Sequence, residues 1–245
     1  MTELAQPKIR ILRDQIPTPS GRILSTATPR QRVIADAFRD GHMTHAQAGL
    51  ATENSIFSSR KVVTELGRDI DPNIVWSKTR LLYYLVNTGE LLPFFDDLPE
   101  SHILRALCDK LNPKRKETLL LHALGLPRIT VAQFMVEAEA TTRCRMNNIG
   151  RTLNPEPTGY SMASQLVANV LHAGTFNVDP YQLQLYRGEP GKSEPIPFFM
   201  LSLNEQVDAY LQEGGIRELC LRGIGERAPR TPEQILAPQL MYIEP

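Results

Sequence analysis

Six side chains between positions 58 and 68 are of the types that bind a polyanion: Ser58, Ser59, Arg60, Lys61, Thr64 and Arg68. Guanidinium and ammonium groups attract phosphate, and hydroxyls donate hydrogen bonds to it. A helix from Ser55 to about Asp69 carries them opposite an apolar stripe of Phe57, Val62, Val63, Leu66 and Ile70. Laid in a major groove, such a helix lets Arg60 or Lys61 read guanine and sets Arg68 on phosphate. Lys78 and Arg80 follow closely enough to support those contacts. The same pattern also describes a solvated face over a three-helix core that only packs.

Other chemistry is poorly supported. Gly191-Lys192-Ser193 has the end of a phosphate-binding loop, but Tyr186 stands where its first glycine belongs. Glu194-Pro195-Ile196-Pro197 then bars the helix that must follow, so a turn is expected. Gly223-Ile224-Gly225 is too short for a dinucleotide fingerprint. His42 and His45 have no nearby third ligand, and His102, His122 and His172 lie in separate segments. Asp96-Asp97 reads as a solvated loop. Cys108, Cys144 and Cys220 are too scattered for a disulfide framework or a zinc knuckle, which suits reduced thiols in a cytoplasmic protein. No catalytic residue, metal ligand or cofactor site is expected, and the chain is read as non-enzymatic.

The elements that must position the basic face come next. Thr28 and Pro29 start a helix that Gly41 stops, with Val33, Ile34, Ala37 and Phe38 on one face. Thr44 caps a short second helix holding Ala46, Ala48, Leu50 and Ala51. The basic helix follows, broken by Asp71-Pro72-Asn73. Ile74-Val75-Trp76 reads as a strand, and Lys78 to Val86 as a strand or a short helix. This order over 29–86 resembles the winged helix-turn-helix domains of transcription regulators.

Farther on, helices are expected at 101–111, 113–124 and 130–142, then a linker around 147–160. A helix at 161–173 carries Met162, Leu166, Val170 and Leu171 as its stripe. Residues 181–187 and 195–201 suggest a β-hairpin, followed by a helix at 204–212 and strands at 217–221 and 241–243. Segments 58–85 and 162–186 share an order of elements, which leaves open a second winged-helix-like unit in tandem. That pattern is similar to some plasmid replication initiators and phage regulators.

The fold class expected is therefore mainly α with small β elements (α+β). It divides into an extended basic arm at 1–28, a helical domain at 29–150 and a smaller α+β domain at 151–245. Net charge is zero, yet residues 1–155 hold 21 Lys and Arg against 16 Asp and Glu. Hydrophobic residues make up 42% and charged ones 22%, which is ordinary for a globular chain. No apolar run approaches the ~20 residues of a membrane span. The expected partner is nucleic acid, with duplex DNA favoured over RNA, and residues 151–245 are candidates for a homodimer or partner contact. The rival reading is an adaptor or scaffold, supported by the apolar runs Leu91–Phe95 and Pro197–Met200.

Overall fold

The computed structural model describes residues 9–12, 22–39, 45–53, 55–88, 90, 106–153, 174–189, 191–221 and 230–237. Within them the chain is mostly helical, with one two-stranded antiparallel sheet, an α+β arrangement. No helix among the described residues is long and apolar enough to cross a membrane.

The chain opens with strand β1 (Ile9–Leu12) and the short helix α1 (Arg22–Thr26). The Glu90 carboxylate accepts from the Ile23 and Leu24 amides at 3.0 and 2.7 Å, closing the N-terminus of α1. Arg32 donates to the carbonyls of Ser25 (2.7 Å) and Ala27 (3.2 Å) at its C-terminal end. Within 1–28, residues 9–12 are thus strand and residues 22–26 helix. Ile9 is buried, and β1 pairs with strand β2 (Gln184–Arg187), Ile9 opposite Arg187 and Leu12 opposite Gln184.

Helix α2 (Pro29–Arg39) begins as its sequence directs. Thr28 Oγ1 accepts the Gln31 amide at 3.3 Å, and Gln31 Oε1 accepts the Thr28 amide at 2.8 Å, a reciprocal cap. Ile34 and Ala37 are buried as expected, whereas Val33 is exposed. Helix α3 (His45–Ala51) buries Ala48 and leaves Leu50 in solvent. Helix α4 (Ile56–Ile70) packs on both, and α1 and α5 also touch it.

Residues 74–76 are not a strand, and Lys78–Asn87 is helix α5. The β-hairpin of a wing is thus not formed by 74–86. Ser77 explains the outcome: its Oγ accepts the Arg80 amide at 3.2 Å and starts the helix. Trp76 is drawn into the core instead of lying on a sheet face.

Helix α6 (Pro113–Ala123) is capped by Asn112, whose side chain accepts the Arg115 amide. The single helix expected at 130–142 is two, α7 (Arg128–Met135) and α8 (Glu139–Leu153). Val136 separates them in the left-handed region, at φ 50°. Helix α8 runs through the proposed boundary at 150, and one apolar core joins residues from Ile9 to Ile235.

Phe198 and Phe199, in a short 3₁₀ turn, pin that core together. Phe199 meets Trp76 and Tyr83 edge to face at 5.4 and 5.7 Å, while Phe198 lies 6.5 Å from Tyr210. The run Pro197–Met200 is therefore core and not a partner surface. The expected hairpin shrinks to one bridge, Leu185 to Ile196. Helices α9 (Leu203–Leu211), α10 (Ile216–Leu221) and α11 (Pro232–Leu236) complete the chain. The strand expected at 217–221 is thus helical, its start held by Glu218, which accepts the Gly214 amide at 2.8 Å. The expectations at 91–100, 101–105, 161–173, 223–225 and 241–243 lie outside the described residues, as do His42, His102 and His172.

Candidate nucleic-acid interface

Helices α3 and α4 follow one another closely in the chain and pack together. Glu53 takes the left-handed conformation at φ 54°, which folds the chain back within so short a turn. Ser55 caps α4, its side chain accepting the Ser58 amide at 3.1 Å. Val62, Val63 and Leu66 are buried, so the orientation of α4 is fixed by its apolar stripe.

The outward stripe reads Phe57, Arg60, Lys61, Thr64 and Arg68, every one exposed. Among the described residues, Arg60 and Arg68 have no carboxylate within ion-pair distance. Lys61 pairs with Glu65 at 3.5 Å, with 73% and 41% of the two side chains exposed. A pair so open to water neutralises little of the local potential. Thr64 Oγ1 donates to the Arg60 carbonyl at 3.1 Å, leaving its oxygen lone pairs outward.

Three expected members are placed elsewhere. Ser59 is fully buried, with its Oγ 2.8 Å from His45 Nδ1, and it locks α3 to α4. Lys78 is 7% exposed, and burial pulls its pKa down to about 8. Arg80 donates to the carbonyls of Val75 (2.7 Å) and Gly125 (3.2 Å) and lies over the Phe199 ring. Each is withdrawn from the outward face by packing. Ser58 is half-buried at the cap, with its hydroxyl 2.9 Å from that of Ser55.

His45 is held neutral at pH 7. Burial first, then the charges of Lys78 and Arg60, push it down to about 4. Phe57 is the residue that sequence reasoning misassigned. The sequence puts it in the core, yet it is 79% exposed at the first turn of α4; Leu50, near the end of α3, is 80% exposed. The signal was available: with Val62, Val63 and Leu66 inward, position 57 falls on the face of Arg60, Lys61 and Thr64.

No family model, curated protein or solved structure matches this chain, so function must be read from its own geometry.

Proposed function

We propose that this chain is a non-enzymatic DNA-binding protein whose α4 is the recognition helix of a helix-turn-helix. The observation that carries the reading is the stripe Arg60, Lys61, Thr64 and Arg68, exposed on a helix whose other side is fixed in the core. The first turn of such a helix meets base edges in the major groove. Phe57 there offers a ring to a thymine methyl, Arg60 and Lys61 reach bases or phosphate, and Arg68 meets the backbone. The role that fits is a sequence-specific regulator, or a replication or mobile-element protein. A helix, α5, stands where a winged unit would place its hairpin, so we propose the helix-turn-helix without a wing at 74–86.

The adaptor reading keeps one observation in its favour: Leu50 near the end of α3 and Phe57 at the start of α4 both expose apolar side chains. One experiment separates the two. Duplex DNA and single-stranded RNA are titrated across a salt series with the native chain and with the Arg60→Ala, Lys61→Ala double variant. DNA affinity that falls steeply with salt and weakens in the folded double variant supports the proposal. Affinity unchanged by the double substitution, or no binding to either polymer near physiological salt, removes it.

A further inference from the structure

A cleft of about 900 Å³ opens between the 73–80 segment, the α6–α7 junction and α8. Three arginines line it: Arg80, Arg128 and Arg143. Among the described residues, no carboxylate does. Arg128 is partly satisfied by Glu139 at 2.6 Å, and Arg80 spends Nε and Nη1 on carbonyls. Arg143 is exposed and, among the described residues, has no ion pair. The N-terminus of α7 opens here as well. Its cap residue is Pro127, which supplies no side-chain acceptor, so first-turn amides add positive potential at the rim.

A second observation points to a ligand independently. His122 is buried in the wall of this cleft, and among the described residues its Nε2 has no hydrogen-bond partner. Its ring is bonded to the Leu126 backbone. Burial, then the Arg128 charge, hold it down near pKa 4, so it is neutral at pH 7. Buried polar groups are seldom left unsatisfied, since each costs roughly 1–3 kcal/mol. A neutral imidazole in the wall and cations at the rim suit one molecule carrying both an anion and a polar group.

The walls narrow the class. Ile74, Leu126, Met146 and Phe199 supply apolar surface, and Asn73 and Asn147 supply amides. The volume is that of small-molecule sites.

We propose that this cleft binds a phosphate monoester of a ring-bearing small molecule, of nucleoside monophosphate size. The phosphate sits between Arg128, Arg143 and the α7 N-terminus, the ring lies over Met146 and Leu126, and a hydroxyl or amino group faces His122. The site does not depend on the DNA-binding reading, because α4 contributes no side chain to it.

Trp76 is the only tryptophan in the chain and meets Phe199 of the cleft at 5.4 Å, so it reports occupancy by fluorescence. The full chain is titrated with the monophosphates of adenosine, guanosine, cytidine and uridine. The free nucleosides and inorganic phosphate are titrated in parallel, with calorimetry as a second readout. The expected result is saturable binding of at least one monophosphate, with its nucleoside and phosphate each about tenfold weaker or worse. Arg143→Glu, an exposed position, should abolish binding while circular dichroism and the melting midpoint hold. Asn147→Asp should weaken it in the same folded background. Failure of all four monophosphates to saturate by about 10 mM overturns the proposal, as does equal binding of inorganic phosphate. Binding indifferent to Arg143→Glu also overturns it. Loss of duplex DNA binding in Arg143→Glu, without any nucleotide binding, would assign the cleft to polymer phosphates and overturn it too.

Discussion

Gly67 lies so close beneath the Trp76 indole that a β-carbon built on it would stand 2.0 Å from Trp76 Cγ and 2.5 Å from Trp76 Cβ. This contact couples α4 to the segment leading into α5. Trp76 cannot swing aside cheaply, since its Nε1 donates to the Asp71 carbonyl at 2.9 Å and its ring is wedged against Tyr84 and Phe199. Gly67→Ala would gain roughly 1 kcal/mol of helix propensity. Overpacking against a ring held near its own backbone costs about 1–3 kcal/mol. The net expectation is a loss of stability with a shifted tryptophan emission, read by urea denaturation. A stabilised Gly67→Ala protein would show that the approach is looser than described.

The basic stripe makes a prediction of a different kind. Arg60, Lys61 and Arg68 are exposed, so replacing all three by Ala should move folding stability by no more than about 0.5 kcal/mol per site. Each lost phosphate contact lowers the slope of log affinity against log salt by about 0.9. The triple variant should therefore show a slope smaller by up to ~3. Ser59→Ala gives the opposite pattern. It removes the bond to His45, costs on the order of 1 kcal/mol of stability, and leaves the salt slope unchanged.

Glu117 anchors the C-terminal part of the chain to α6. Its Oε1 accepts from Tyr210 Oη at 3.1 Å and from Arg217 Nε at 3.1 Å, and it also takes a hydrogen bond from Arg230. The carboxylate is 5% exposed. Glu117→Gln would leave two guanidiniums around an uncharged amide in a nearly dry site. Breaking a buried pair in this way typically costs about 3–5 kcal/mol. Chemical denaturation of the variant should show that loss as an earlier midpoint. A cost below about 1 kcal/mol would mean that water reaches the cluster.

Much of this architecture could be read from residues alone, and the failures have identifiable causes. The Thr28 cap read from the sequence forms, with Gln31 reciprocating. The amphipathic stripe of α4 was legible because Val62, Val63 and Leu66 repeat at helical spacing. Long-range facts were not. Nothing local marks Ile9–Leu12 as the partner of Gln184–Arg187, a pairing across most of the chain. Nothing in Pro197–Met200 distinguishes a core pin from an exposed docking run, because both need the same apolar residues. Lys78 and Arg80 show a related limit: charge is visible in sequence, but the burial of one and the carbonyl partners of the other are not.

The last prediction concerns acid. His45 and His122 both titrate near 4 in the folded chain, driven first by burial, against an ordinary value of 6.5. Between those values the unfolded chain binds protons that the folded chain does not, so stability must fall as pH drops from about 6.5 toward 4. The slope approaches about 1.4 kcal/mol per pH unit for buried His122, with less from half-exposed His45. Glu137 and Glu205 act lower down. Burial alone would raise Glu137, but hydrogen bonds from Arg145, Thr142 and Lys114 overcome it and hold it at about 2. Hydrogen bonding to Arg187, with help from Ser202 against burial, does the same for Glu205. Their contribution is complete above about 4.5 and is lost as pH falls toward 2, in the same direction as the histidines. Denaturation midpoints taken from pH 7.5 to 3 should decline in two stages. His122→Gln should flatten the upper stage and leave the lower one. A flat native profile between pH 6.5 and 5 would show that neither imidazole is shielded from water as the structure has it.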